Sequence, residues 1–378
     1  MKQIGTTLFF LTVVFQLFAQ SVEHSIERGF YNAAFTLNLS TDLPAATIMY
    51  SLDEGLPSQT YNGSLTIAQT STIRSQAYNS TDTTAVATHS YIFPADVVQS
   101  PVMISSIVND PTYGSQMEAA LLSIPTISIV SHELLDPIDT SLLTLPTSLE
   151  YILPDGSEGF QIDCGVENYG GWWVWNSFDK KNFRLKFKSE FGPKKLKYPL
   201  FEGYDKGVPA ADEFDQLNLR SGSHDMVQRG FYMSNRFMDD MMLEMGNAVP
   251  HGRFVHLYFN GDYWGQYHMR ERFNNDFLAS YHGGNDDDYD CINGNVNVGG
   301  WAIGHAYDGD SINWETIKDS TNLYVDLKDK VDLKNYVDFM LTFFLGYAEN
   351  EYRCGGAADF SRPYTFFYND ADGWLRAP

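Results

Sequence analysis

Apolar and polar residues change rhythm several times along this 378-residue chain, and each rhythm predicts a different element. After Lys2, the stretch from Ile4 to Phe18 is largely apolar and closes on Ala19-Gln20. A charged start, a short apolar core and a small residue at its end mark a secretory signal peptide, and the run falls short of the roughly 20 apolar residues that a membrane span needs. Residues 1–20 are therefore expected to be cleaved near Ala19, giving a secreted or envelope protein with no membrane span in the mature chain. Residues 22–94 then alternate short β-branched and aromatic runs with turn signals, as in Thr47-Ile48-Met49-Tyr50-Ser51, Tyr61-Asn62-Gly63 and Ser90-Tyr91-Ile92. That spacing predicts a small all-β sandwich.

Residues 95–119 are a polar, Pro-containing linker, and a second domain is expected over 120–378. Within it, Ser123 to Val130 has the continuous apolar character of a buried strand. Leu149-Glu150-Tyr151-Ile152, the turn Pro154-Asp155-Gly156 and Gly159-Phe160-Gln161-Ile162 predict a hairpin. Asn260-Gly261 lies between Val255, Leu257 and Phe259 on one side and Tyr263, Gly265, Tyr267 and Met269 on the other, the pattern of a two-residue turn that demands positive φ. Two helices are expected. Ser234 to Met245 sets Phe237, Met238, Met241, Met242 and Met245 against a polar side of Asp239, Asp240 and Glu244, and Asp332 to Tyr347 carries Val337, Met340, Leu341 and Phe344 along one face. The fold class is α+β.

The net charge of -23 excludes a general nucleic-acid binder, because phosphate backbones are drawn to basic surfaces. Cys164, Cys291 and Cys354 form no C-x-x-C pair, which argues against a disulfide framework or a structural zinc site. The distribution of charge is more telling than its sum. Only Lys2, Arg28 and Arg74 precede Lys180, after which Lys180, Lys181, Arg184, Lys186, Lys188, Lys194, Lys195 and Lys197 follow closely. Phe183, Leu185 and Phe187 alternate with Arg184, Lys186 and Lys188, so a strand here buries one face and gathers cations on the other. Such a face serves phosphoryl transfer, where phosphate charge must be held and offset; the other reading is an edge strand protected by lysines. Gly165, Gly170 and Gly171 precede it, as the glycines of a phosphate-covering loop would. The acidic runs Asn285 to Asp290 and Asp308 to Asp310 lack EF-hand spacing and are read as solvated loops, calcium binding in an exported protein being the other reading. No Walker loop, His-Glu-x-x-His or Gly-x-Ser-x-Gly is present.

Two resemblances organise these features. The phrases in residues 22–94, above all Tyr50-Ser51-Leu52-Asp53 with Gly55 and Pro57, resemble the immunoglobulin-like domain at the C-terminal end of chitobiases, which implies a spacer or surface-binding module. From Leu149 through Lys180-Lys181-Asn182-Phe183-Arg184-Leu185-Lys186-Phe187 and Leu257-Tyr258-Phe259-Asn260-Gly261-Asp262-Tyr263-Trp264-Gly265-Gln266-Tyr267 to Arg270-Glu271-Arg272, the chain resembles the CotH (spore coat protein H) kinase family. That resemblance implies an atypical protein-kinase-like fold that uses ATP with Mg2+ or Mn2+ to phosphorylate a Ser-rich surface or coat protein. It assigns Lys181, then Lys180 and Lys186, with Gly170 and Gly171, to the nucleotide. Asp370 and Asp372 fall to the metal, although Asn369 stands where members carry Trp; an exposed Asp-rich turn is the other reading of this pair. Asn350 and Glu351 fall to catalysis, although Glu351 stands where members carry aspartate. The alternative function is a non-catalytic surface-binding or adhesive protein on the same kinase-like fold, associated with glycan through the sandwich. Members continue beyond the position of Pro378, so a truncated C-terminus is expected.

Overall fold

The structure, a computed structural model, describes residues 20–133, 143–169, 179–204, 206–222, 232–293, 305–313, 315, 325, 331–346, 365–369 and 374–376. Short extended runs broken by turns form strands β1 (Val22–His24), β2 (Gly29–Phe30), β3 (Phe35–Leu37), β4 (Leu39–Thr41), β5 (Thr47–Ser51), β6 (Gln59–Thr60), β7 (Leu65–Ile67), β8 (Ser71–Tyr78) and β9 (Ala87–Ile92). They assemble as a five-stranded sheet, β2-β9-β8-β5-β6, with the pairs β1-β4 and β3-β7. Leu37, Ile67, Ile73, Ala77 and Tyr91 fill the core they share.

The segment read as a connection folds into three short helices, α1 (Pro94–Gln99), α2 (Ser105–Val108) and α3 (Met117–Leu121). Pro94 opens α1 at a position where its missing N–H costs nothing. Val97 and Leu121 cluster with Ile92, Ile152 and Tyr258, and His256 Nε2 lies 3.0 Å from the Ala120 carbonyl, so this segment lies against the next domain.

That domain is a closed seven-stranded barrel. Its strands are β10 (Thr126–Val130), β11 (Leu145–Ile152), β12 (Phe160–Tyr169), β13 (Asn182–Lys186), β16 (Gln216–Arg220), β17 (Gly252–Phe259) and β18 (Asp262–Glu271), while β14 (Leu196–Lys197) and β15 (Glu213–Phe214) pair separately. The order is β10-β11-β12-β13-β16-β18-β17. The ring is closed by the parallel pairing of β10 with β17, from Thr126 beside His256 to Ile129 beside Phe259. Alternation decides what faces inward: Ile127, Ile129, Leu149, Tyr151, Cys164, Val166, Phe183, Leu185, Leu217, Leu219, Val255, Leu257, Tyr267 and Met269 make one buried cluster. The residues between them point outward, toward the N-terminal sheets on one side and toward helix α4 (Ser234–Glu244) on another.

The β17–β18 hairpin turns at Asn260 and Gly261 with φ of 49° and 86°, the left-handed pair that Asn-Gly adopts most readily. Asn260 does more than turn the chain. Its Oδ1 accepts from Ser131 N at 2.9 Å and its Nδ2 donates to Ser131 O at 3.1 Å, pinning the end of β10. Asn260→Gly keeps the turn and removes both bonds, and is expected to lower unfolding free energy by about 1–2 kcal/mol in a denaturant titration.

Beyond the barrel lie α5 (Asn275–His282), α6 (Leu333–Gly346) and a sheet of order β20-β19-β21-β22, formed by β19 (Tyr289–Asn293), β20 (His305–Asp308), β21 (Thr365–Asn369) and β22 (Trp374–Arg376). Two helix faces differ from expectation. Phe339 and Thr342 turn α6 onto Met238, Met242 and Leu243 of α4, so Val337 and Leu341 of the expected apolar face stand 52% and 47% exposed. Asp239, expected on the solvated side of α4, is fully buried. Both differences have one cause: α4 lies between the barrel wall and α6 and uses hydrogen bonds as well as apolar contacts on both sides.

Candidate functional site

The outer wall of the barrel carries a row of polar side chains set by strand register. Glu167 of β12 stands opposite Arg184 of β13, Arg184 opposite Asn218 of β16, and Asn218 opposite Arg270 of β18. Each is on the outer face because its neighbours Val166, Phe183, Leu217 and Met269 occupy the inner one. Glu167 binds Lys186 at 2.5 Å and Arg184 at 3.2 Å, and accepts from Thr144 Oγ1 at 2.8 Å. Arg184 Nε donates to Asn218 Oδ1 at 3.3 Å, and its guanidinium lies 5.0 Å from the Tyr169 ring. At the far end Arg270 is held by Asp239 at 3.2 Å and by Asn235 at 2.8 Å, both from α4. One step along, Arg272 donates to Gln216 at 2.5 Å and approaches Asp308 of β20 at 3.9 Å.

Electrostatically the row has a surplus of positive charge. Burial alone would raise Glu167, but hydrogen bonds from Lys186 and Thr144 and the charges of Lys186 and Arg184 outweigh it and hold the carboxyl below its ordinary value. Burial, and then the like charge of Arg272, push the Arg184 guanidinium down. Burial raises Asp308 against the pull of Arg272 and Arg184. Crowded guanidiniums of this kind favour a bound anion, since planar forks of N–H donors match phosphate oxygens.

The three lysines singled out by sequence do not converge. Lys186 belongs to the row. Lys181 is 5% exposed and precedes β13 in phase with Phe183 and Leu185, on the opposite side, with its carbonyl accepting from Tyr267 Oη at 2.9 Å. The Lys180 ammonium lies 4.3 Å from the Tyr267 ring centre and 5.8 Å from that of Tyr232, and donates to the Gln266 carbonyl. Burial brings its pKa down to about 8. Gly165 is not a loop glycine: it lies within β12 opposite Lys186 and Pro146, and a methyl there would meet the Phe191 ring at 2.6 Å. Gly170, Gly171, Asn350, Glu351, Asp370 and Asp372 lie outside the described residues. Among the described residues no group of three or more His, Cys, Asp or Glu side chains is arranged to hold a metal. The acidic loops serve their own backbone, with Asp290 Oδ1 accepting from Asp310 N at 2.7 Å.

Glu167, Asn218, Arg270 and Asp239 were not picked out from sequence. For the three strand residues the signal was present, since each follows or precedes an inward apolar position; Asp239 had none, because only the packing of α4 reveals its partner.

These features define a strand-rich α+β protein whose barrel presents a partly buried, cation-rich wall. Residues 169–353, from the end of β12 through α6, match the model of the CotH kinase protein family. The match includes Lys180, Lys181, Lys186, Asn350 and Glu351, whereas Asp370 and Asp372 lie past its end. A search of curated proteins gave no match.

Proposed function

We propose that this chain is an exported CotH-like protein kinase, transferring phosphate from ATP to Ser or Thr of surface or coat proteins with Mg2+ or Mn2+. The observation that carries this reading is the row on β12, β13, β16 and β18, where Arg184, Lys186, Arg270 and Arg272 outnumber the carboxylates that face them, within the segment that matches the family. The donor set suits a polyphosphate. Arg184 and Lys186 share a single carboxylate, Glu167, and are the groups that would offset phosphate charge, while Asn218 fixes the guanidinium plane. When bound, ATP supplies the phosphoryl group and the metal neutralises its oxygens. In this reading Lys186 is the lysine that meets the phosphates, since Lys181 and Lys180 are turned away from the row; Gly170 and Gly171 border the nucleotide, Asp370 and Asp372 hold the metal, and Glu351 with Asn350 orients the acceptor hydroxyl. The sandwich of residues 22–94 is proposed as a kinase-associated module that contacts glycan.

Calorimetric titration with ATP and Mg2+ tests this directly. Lys186→Ala is expected to weaken binding about 10-fold or more, the worth of one charge-assisted contact, and Asp370→Ala to remove the metal dependence. Absence of nucleotide binding, or of phosphate transfer to the chain itself or a Ser-rich protein, would sink the proposal.

A further inference from the structure

The sandwich meets the barrel through buried ionisable groups that the proposed chemistry does not use. Glu150, on the outer face of β11, is completely buried. It accepts from Ser90 N at 3.1 Å and Ser90 Oγ at 2.5 Å, and lies 3.4 Å from Arg28, both residues of the sandwich. Ser90 also bonds Ser128 of β10 at 2.8 Å. Behind Arg28, the rings of His24 and His89 stack with centroids 4.0 Å apart.

The hydrogen bonds fix how these imidazoles are protonated. Arg28 Nη2 lies 3.2 Å from His89 Nε2, and a guanidinium only donates, so this nitrogen must keep its lone pair. The proton of His89 is then on Nδ1, 4.0 Å from Glu27. Tyr91 gives its single hydroxyl proton to the Ile26 carbonyl at 2.9 Å, so His24 Nδ1 donates to Tyr91 Oη at 2.9 Å and Nε2 accepts from Ser75 Oγ at 2.8 Å. A proton added to His89 therefore displaces Arg28, the cation that ties the sandwich to Glu150.

We propose that this cluster is an acid-sensitive latch, in which protonation of the stacked His24 and His89 expels Arg28 and releases the sandwich from the barrel. The groups facing the pair are Glu27 and Arg28 before β2, Tyr31 after it, Ser75 on β8, Ser90 and Tyr91 on β9, and Glu150 on β11. Farther along the same junction Asp163 of β12 attracts Arg74 of β8. Burial, then Arg28, lowers His24 to about 4; burial, then His24 and Arg28, lowers His89 to about 2. The part of this lowering that Arg28 and the barrel wall cause is relieved on release, so it stabilises docking at neutral pH and is lost as pH falls toward the docked value. Glu150, raised by burial despite Arg28 and Ser90, works in the opposite direction over its own interval. Asp163, also raised by burial, works in the same direction as Glu150; acid opens the latch because the proton that His89 gains falls on the nitrogen facing Arg28.

Small-angle scattering and far-UV circular dichroism of the full chain, from about pH 7.5 to about pH 4.5, test the latch. The expected result is a reversible rise in radius of gyration with unchanged secondary structure. His89→Gln, which still accepts from Arg28 but does not titrate, should lower the opening midpoint by about one pH unit or more. Glu150→Gln, which removes the opposing titration and the partner of Arg28, should raise it, and carries the test alone if the first variant does not fold. A constant radius, loss of secondary structure at the same midpoint, or a midpoint unmoved in the variants that fold would overturn the proposal.

Discussion

Asp239→Ala is expected to cost about 3–5 kcal/mol of unfolding free energy, the range for breaking a buried ion pair by deleting one partner. Asp239 is fully buried, 3.2 Å from Arg270 and 4.0 Å from Arg236, whose own side chains are only 13% and 8% exposed. Its removal leaves two guanidiniums facing each other between α4 and the barrel. A urea titration gives the measurement, and Asp239→Ala/Arg270→Met should recover part of the loss, since a hydrophobic replacement of the whole pair is far less costly than half of it. A loss below about 1 kcal/mol would show that solvent reaches these groups and that α4 is not clamped as described.

Arg28→Ala should be comparably severe, about 3–5 kcal/mol at neutral pH, because it strands the Glu150 carboxylate at zero exposure. The sign of its pH dependence follows from Glu150, already raised by burial. Without Arg28 it rises further, so the folded state binds a proton that the unfolded chain releases. The penalty relative to the parent is therefore absent near the ordinary carboxylate range and grows as pH rises through the folded value. Thermal melts of both proteins at several pH values provide the check. A deficit that does not change with pH would mean that Glu150 is stabilised by Ser90 alone.

Features that depend on neighbouring residues were legible in the sequence. The Asn260-Gly261 turn, the Leu149 to Ile162 hairpin, the strand through Arg184 and the helices at Ser234 and Leu333 all follow from local turn chemistry or periodicity. Features that depend on which surfaces meet were not. Of the apolar face assigned to α6, Met340 packs toward α4 while Val337 and Leu341 are exposed, because Phe339 and Thr342 make the main contact with that helix. The three candidate lysines are adjacent in sequence yet separate in space, because alternation sends Lys186 and Lys181 to opposite sides of the strand while Lys180 turns onto the aromatic rings of Tyr267 and Tyr232. The carboxylate that organises the cationic strand, Glu167, is supplied by β12 and could be matched to its partners only through register.

Closure of the barrel by β10 against β17 also constrains the order in which the chain can become stable. The contacts that seal it, such as Ser131 with Asn260, join residues 129 positions apart. Until the second strand exists, β10 has one open edge, and such long-range pairings must meet their entropic cost before they return any stability. A nascent chain ending before Gly252 therefore presents an unsealed apolar interior and sticky strand edges. The barrel is completed late, when the hairpin at Asn260-Gly261 delivers its last two strands together.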